Sequence, residues 1–362
     1  MHKKLIFCFA ASSTCINFFQ DLVLNLSKDS QINIISGRDY AFDQLVAFSN
    51  KHSINLVDIN FPREITLRLF CTFKSINLAI KKIKSHSDKL IVISNTPIMS
   101  FMVAIIRLLN PNFQHIHFCH GLYSYNQRWY KKLFFKFFEQ VTFYLSDNVI
   151  FVSDSLSEYA TNNYSIPKYK LEKINSIVGV DISQLKKLKD SQFRIGFFGR
   201  VCYDKGFEDF YALYKMLPDK FSFVIAGPVD DKKYQKLLDS SDERFKYLGV
   251  IRDRKLFFNN IDLLFFPSKR EGFGVSIIES SSYGVPTIAY DIVGVQDSLQ
   301  TGLNGYKVDY PNISAAANII KSLESDKNSL NELQKNSRYF VSRNFLKEVV
   351  LKRNLAKINE LI

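Results

Sequence analysis

The stretch "IDLLFFPSKREGFGVSIIESSSYGVPTIA", Ile261 to Ala289, decides how the chain folds. Leu263–Phe266 is an unbroken apolar run, and Pro267, which has no backbone N–H to give, stops it. Glycines on both sides of Phe273 make a loop, and a helix is expected from near Val275. Gly284-Val285-Pro286 then leads into a second apolar run at Thr287–Ala289. Strand, glycine loop, helix, strand is the unit of a parallel sheet. Runs that are apolar throughout, not alternating, belong to strands covered on both faces.

The same alternation extends in both directions. In the first half it predicts strands at Lys4–Phe9, Ile32–Ile35, Leu90–Ile93, Gln114–Phe118 and Asn148–Val152. In the second half it predicts Arg194–Phe198, Phe221–Ala226, Phe245–Leu248, Leu263–Phe266 and Thr287–Ala289. The polar, lysine-rich segment Ser183–Ser191 separates a finished pattern from a fresh strand at Phe193. The chain therefore reads as α/β, with two Rossmann-like, doubly wound parallel-sheet domains facing a cleft. Their expected bounds are 1–182 and 192–345, with a linker at 183–191 and a closing helix, 346–362, that reaches back to the first domain. In such sheets ligands lie at the carboxyl ends of the strands.

Composition narrows the rest. A chain of 362 residues with 46% apolar content, 33 Phe and 18 Tyr has ample surface to bury, which excludes disorder and suits two domains. The five cysteines are odd in number, far apart and never in a C-x-x-C pair, so a reducing compartment is expected, without a disulfide framework or zinc cluster. All six histidines lie between His2 and His120. Of the formal net charge of +13, residues 1–190 carry +9 (23 Lys/Arg less 14 Asp/Glu) and the remainder +4 (25 less 21). Such an excess attracts phosphorylated small molecules, acidic headgroups or nucleic acid without choosing among them.

Two apolar stretches invite a membrane reading. The start, "MHKKLIFCFAASSTCINFFQ", has the basic and apolar order of a signal peptide but a short apolar run; a first strand and helix fit it better. "LIVISNTPIMSFMVAIIRLLN" approaches spanning length but is broken by Ser94, Asn95, Pro97 and Arg107, and reads as strand, turn and helix.

The second domain carries the chemistry. In "FRIGFFGRVCYDKGFEDF" a strand ends at Phe198, and Gly199, Arg200 and Lys205 follow it. A planar guanidinium and a point-charge ammonium at that place suit a diphosphate, although the same pair would also serve as solvated cations flanking a turn. "FVIAGPVDD" enters a glycine turn, and "FKYLGVI" ends a strand whose last groups, up to Ile251, would border a flat base. In the opening stretch the N–H groups of Gly272, Phe273 and Gly274, with the start of the helix, form an anion nest. Glu271 on the loop and Glu279 a turn inside the helix are separated by about 12 Å at 1.5 Å per residue. Carboxylates beside a diphosphate should face hydroxyls, one at a sugar ring and one at a ribose.

Here the sequence becomes specific. The E-x7-E arrangement of "EGFGVSIIE", with "GRVCYDKG" upstream and "GVPTIAYDIVGVQDSLQTGLNGYKV" downstream, resembles the family 4 glycosyltransferases of GT-B fold over nearly all of residues 190–345. The resemblance implies that Arg200 and Lys205 bind a nucleotide diphosphate, Glu271 meets donor-sugar hydroxyls and Glu279 meets the ribose. It further implies a retaining, metal-independent transferase with no cofactor beyond its nucleotide-sugar co-substrate, a UDP-sugar being favoured. The chain departs from the family at "DIVGVQDSL", where relatives usually show a Gly-Gly pair and a Glu, and Asp297 stands nearby.

The first domain reads as the acceptor side. "FQHIHFCHGLYSYNQRWYKK" ends a strand at Cys119 and sets His120-Gly121 at its carboxyl end, facing the cleft. His120 resembles the family's "HG" histidine, which contacts the donor sugar near the reacting carbon; His115 and His117 read as packed residues. Small residues in "FAASSTCINF" replace the glycine pair common in the first strand–helix loop of relatives. The helix "RWYKKLFFKFFEQVTFYL" interleaves Arg128, Lys131, Lys132 and Lys136 with Trp129 and other aromatics, which suits either an anionic membrane surface or an ordinary helix burying its rings. The first alternative matches the acceptor that the resemblance implies: a saccharide carried on polyprenyl diphosphate in surface-polysaccharide synthesis, handled by a cytoplasmic enzyme peripheral on the inner face of the plasma membrane. Two other readings share the fold: a sugar-nucleotide epimerase and a non-catalytic subunit. No recognition element for nucleic acid is present in the pattern.

Overall fold

The computed structural model describes residues 3–62, 66–84, 89–182, 192–239 and 242–362. The expected linker, 183–191, lies outside the described residues. Contacts divide the chain into two compact units, residues 1–178 with 350–362, and residues 179–349.

The first unit holds β1 (Lys3–Phe9), β2 (Ser30–Gly37), β3 (Asn55–Ile59), β4 (Leu90–Asn95), β5 (Gln114–Cys119), β6 (Asn148–Phe151) and β7 (Leu171–Lys173). They form one parallel sheet in the order β3-β2-β1-β4-β5-β6-β7. Leu5, Phe7 and Phe9 point into one layer with Phe19, Ile34, Ile93 and Phe118, whereas Ile6 and Cys8 point into the other with Ile35, Val92, Met99 and Val103. This two-sided burial explains the unbroken apolar runs. The closing helix, Lys347–Leu361, joins the first layer through Ile358. Its Asn354 amide donates to the carbonyls of Ser176 and Ile177 at 3.1 and 3.2 Å.

The second unit holds β8 (Phe193–Phe198), β9 (Phe221–Ala226), β10 (Phe245–Tyr247), β11 (Leu263–Phe266), β12 (Thr287–Tyr290) and β13 (Gly305–Val308). Their order is β10-β9-β8-β11-β12-β13, again parallel. The order reverses beside β1 in the first unit and beside β8 in the second. At such a switch point adjacent loops run to opposite faces and leave a crevice for a ligand.

Three strands escape the sequence pattern: β3, β7 and β13. All three are sheet edges, partly exposed, and their sequences NLVDI, LEK and GYKV contain no continuous apolar run. The stretch from Leu90 to Leu109 is a strand followed by the helix Pro97–Leu109, and among the described residues no helix is long and apolar enough to cross a membrane.

The helix Trp129–Leu145 buries only part of its aromatic set. Glu139, Thr142 and Phe143 face inward, while Trp129 (75% exposed), Tyr130, Leu133, Phe134 and Phe137 lie outward. Arg128, Lys131 and Lys132 are exposed beside them.

Candidate active site

The loops leaving β8, β9 and β10 are laced together. The N–H of Gly199 donates to Ala226 O at 3.0 Å, that of Gly227 to Gly249 O at 2.9 Å, and that of Val201 to Pro228 O at 2.8 Å. A Cβ on Gly227 would fall 1.8 Å from the carbonyl oxygen of Gly199, so only glycine permits this approach. Gly199 and Arg200 are thereby held at the carboxyl end of β8, with half-buried Ile251 following the adjacent turn.

Lys205 and Glu271, which the sequence assigns to a phosphate and a sugar, meet directly. Lys205 Nζ lies 2.5 Å from Glu271 Oε1, and Ser268 Oγ donates to the same oxygen at 2.7 Å. The contact joins the loop after β8 to the loop after β11, across the switch point. The two loops are pinned by their backbones as well: Lys269 N–H donates to Asp204 O at 2.9 Å, and Arg270 pairs with Asp204 at 2.8 Å. Gly206, in the left-handed region, starts the helix Phe207–Met216, and a Cβ there would sit 1.9 Å from Pro267 O.

Glu271 leads into Gly272, Phe273 and Gly274, all buried. The Phe273 ring packs edge-on against Phe345 at 5.3 Å, so this residue has only its backbone to offer a ligand. Gly274 (φ +78°) caps the helix Val275–Ser282, whose first N–H groups point out of its start. In the divergent segment 291–299, Gly294 alone makes the close approach: a Cβ on it would lie 2.6 Å from Glu271 O.

Glu279 is mostly buried and receives Arg254 Nε at 3.2 Å. Burial raises its carboxyl above the ordinary value, and the nearby guanidinium offsets this only in part. Arg254 also lies over the Phe198 ring, 5.3 Å from its centroid. Arg200 pairs with Asp230 at 2.6 Å and is more than half exposed. Reasoning from the sequence missed Arg254, Asp230 and Ser268. Each sits in a polar stretch without periodicity, and only the fold brings it to the site.

In the first unit His120 stands at the end of β5 with its ring among Phe18, Phe19 and Phe118, at 6.3, 5.4 and 6.2 Å. Burial lowers its pKa to about 4, so the imidazole is neutral at neutral pH. Ala10 to Ser13, which replaces a glycine pair, begins a helical run over 12–26. Asp39 accepts the Ser13 N–H at 3.1 Å, so an internal carboxylate already occupies that helix start.

His115 lies in the core between Ser94 Oγ (2.7 Å) and Ser146 Oγ (3.2 Å), and His117 packs on Phe143. Desolvation lowers both, His115 to about 3. A histidine whose folded pKa is depressed stabilises the fold above its unfolded value near 6.5, and this stability is lost as pH falls from there towards the folded pKa. Each costs about 1.4 kcal/mol per pH unit in that window. The first unit is expected to lose melting temperature steeply from about pH 6.5 downward. A His115→Gln variant should show a shallower slope; an unchanged slope would contradict the assignment.

The comparisons agree with the fold and the motifs. Residues 181–340 match the family "Glycosyl transferases group 1", and residues 34–181 match "Glycosyltransferase Family 4". A capsular polysaccharide biosynthesis glycosyltransferase of Staphylococcus aureus, CapM, is 24% identical over 80% of this chain and 81% of its own length. An N,N'-diacetylbacillosaminyl-diphospho-undecaprenol alpha-1,3-N-acetylgalactosaminyltransferase of Campylobacter jejuni is 27% identical over 55% of this chain and 56% of its own length. In fold, Anabaena HepE in complex with UDP-glucose superposes with a TM-score of 0.78 at 18% identity, covering both chains entirely. Sucrose-phosphate synthase of Thermosynechococcus elongatus superposes with a TM-score of 0.81 at 17% identity, covering 99% of each. With both parallel-sheet units, the motif order and both family matches in hand, the chain belongs to the family 4 glycosyltransferases of GT-B fold, related to the enzymes of bacterial polysaccharide synthesis.

Proposed function

We propose that the protein transfers a sugar from a UDP-sugar, with retention at the anomeric carbon, to a saccharide acceptor carried on polyprenyl diphosphate. The observation that carries this reading is the Lys205–Glu271 contact at the β8/β11 switch point. In this reading Lys205 is the phosphate-binding cation and Glu271 the hydroxyl-binding carboxylate, and their contact supports the anomeric end of a nucleotide sugar lying beside both. The UDP and UDP-glucose bound by fold neighbours and the undecaprenol-linked acceptor in a relative's name support the donor and acceptor classes.

In this reading Arg200, Lys205 and the N–H groups from Gly272 to Gly274 take up the negative charge that grows on the leaving diphosphate. Glu271 accepts from the sugar hydroxyls and fixes the ring. Glu279, turned towards the ribose, accepts its hydroxyls with the oxygen that Arg254 leaves open. His120, neutral and ring-packed, borders the sugar. The bond from the anomeric carbon to the β-phosphate oxygen breaks, and the acceptor oxygen bonds to that carbon on the same face. The acceptor's proton passes to the departing phosphate oxygen, so no side-chain nucleophile is required. The test is the anomeric configuration of the product, followed by NMR from the first turnovers. Retention is expected, and inversion would overturn the mechanism.

The exposed basic and aromatic face of the Trp129–Leu145 helix is assigned to the anionic inner surface of the membrane, where the lipid-linked acceptor resides. Each lysine near such a surface contributes about 1 kcal/mol. Lys131→Glu with Lys132→Glu should therefore weaken partition onto anionic vesicles by at least about tenfold at low salt and leave neutral vesicles unaffected. Equal binding of wild type and variant would contradict the assignment.

A further inference from the structure

Glu139 is the one carboxylate of the Trp129–Leu145 helix, and it points inward, 4% exposed. Among the described residues no cation pairs with it. Its partners are neutral donors from two other segments. Oε1 accepts the N–H of Tyr123 at 2.6 Å and of Ser124 at 3.4 Å, and Oε2 accepts Tyr164 O–H at 2.6 Å. Tyr164 Oη and Ser124 Oγ, 2.5 Å apart, close the cluster.

A buried carboxylate without a counter-charge is a poor device for stability. Desolvation opposes its charged form, and the hydrogen bonds recover part of that loss. Burial accordingly holds its carboxyl above the ordinary range. What such a group supplies is direction: two backbone N–H groups and a phenol must converge on one point, which fixes the segments that carry them.

The segment it fixes is the one that leaves His120. Tyr123 and Ser124 follow His120 by three and four residues, and Gly121 (φ +140°) makes the turn between. Buried Leu122 and the Tyr123 ring, 5.6 Å from that of Phe135, add apolar contacts in this stretch. We propose that Glu139 is a positioning residue for catalysis: it holds the 121–124 segment against the helix and thereby sets the His120 ring at the donor sugar. The inference rests on the reading of His120 as a sugar contact.

The experiment measures kcat, donor KM, UDP stabilisation and melting temperature for Glu139→Ala, Glu139→Gln, Tyr164→Phe, His120→Ala and the double variant Glu139→Ala/His120→Ala, all in the full chain. Expected is a loss of about tenfold or more in kcat for Glu139→Ala, with donor KM within about threefold and UDP stabilisation retained. Glu139→Gln should restore most of the rate, because its oxygen still accepts from Tyr123 and its amide can donate to Tyr164 Oη. Tyr164→Phe should fall between them. In the His120→Ala background, Glu139→Ala should cost less than about twofold more, because the two act through one contact. Glu139→Ala within twofold of wild type, full multiplicative loss in the double variant, or a Gln variant as slow as Ala would each overturn the proposal. If His120→Ala alone keeps full activity, the reading of His120 fails and the inference falls with it, an outcome distinct from those three.

Discussion

Alanine at Lys205 is expected to lower kcat/KM by about 10²–10³-fold, the largest loss of any single substitution at the site. Two effects add. In the proposed reading the ammonium meets the leaving diphosphate, and a charge-assisted hydrogen bond of that kind contributes about 1.5–3 kcal/mol. The same ammonium neutralises Glu271, which is 11% exposed and 2.5 Å away, so its removal leaves a largely buried carboxylate with Ser268 as its remaining side-chain partner. That carboxylate would then repel the phosphate it borders. Arg200→Ala should cost less, about 10–100-fold, because Arg200 is more than half exposed and its partner Asp230 is also accessible to water. Initial rates across donor concentrations check both. Equal, small losses at the two positions would mean that the diphosphate does not sit on Lys205.

The second large effect is a separation between the two glutamates. Glu271→Gln should reduce kcat by about 10²-fold, because a neutral amide orients sugar hydroxyls less strongly than a carboxylate. Its affinity for UDP should be unchanged or higher, since UDP lacks the sugar and Lys205 is freed from its internal partner. Glu279→Ala should do the reverse. It removes the proposed ribose acceptor and leaves Arg254 without its carboxylate, so UDP binding should weaken by about 10–100-fold while kcat at saturating donor changes little. Calorimetric titration of UDP beside steady-state rates separates the two. If both variants lost nucleotide affinity alike, the division of labour between sugar and ribose would be wrong.

Much of this arrangement was legible in the residues. Phe198-Gly199-Arg200 and Phe266-Pro267 mark strand ends because apolar runs give way abruptly to glycine and proline, and those ends carry the residues proposed to bind the donor. The central strands were readable because both faces are buried. The edge strands β3, β7 and β13 were not, because one exposed side leaves no apolar run to detect. The spacing of Glu271 and Glu279 gave their separation along the chain but not their partners. That Glu271 would meet Lys205, or Glu279 meet Arg254, depends on loops brought together by a sheet order that no local pattern encodes. The outward aromatics of the Trp129–Leu145 helix were undecidable for the same reason: interleaved basic and aromatic residues suit a covered face and a membrane surface alike, and only packing shows which rings stay exposed. Glu139 was passed over because a single acid in a basic helix looks like a surface residue until the loop that donates to it is in place.

The most direct test of the account is the shift in melting temperature of the full-length protein on adding UDP, GDP or ADP, for wild type beside Lys205→Ala and Glu279→Ala. The account predicts stabilisation by UDP above the other two, reduced in both variants, because binding to the folded state alone raises stability by mass action. Stabilisation by none of the three nucleotides, or a UDP shift that both variants retain in full, would contradict the assignment of the β8/β11 switch point as the donor site.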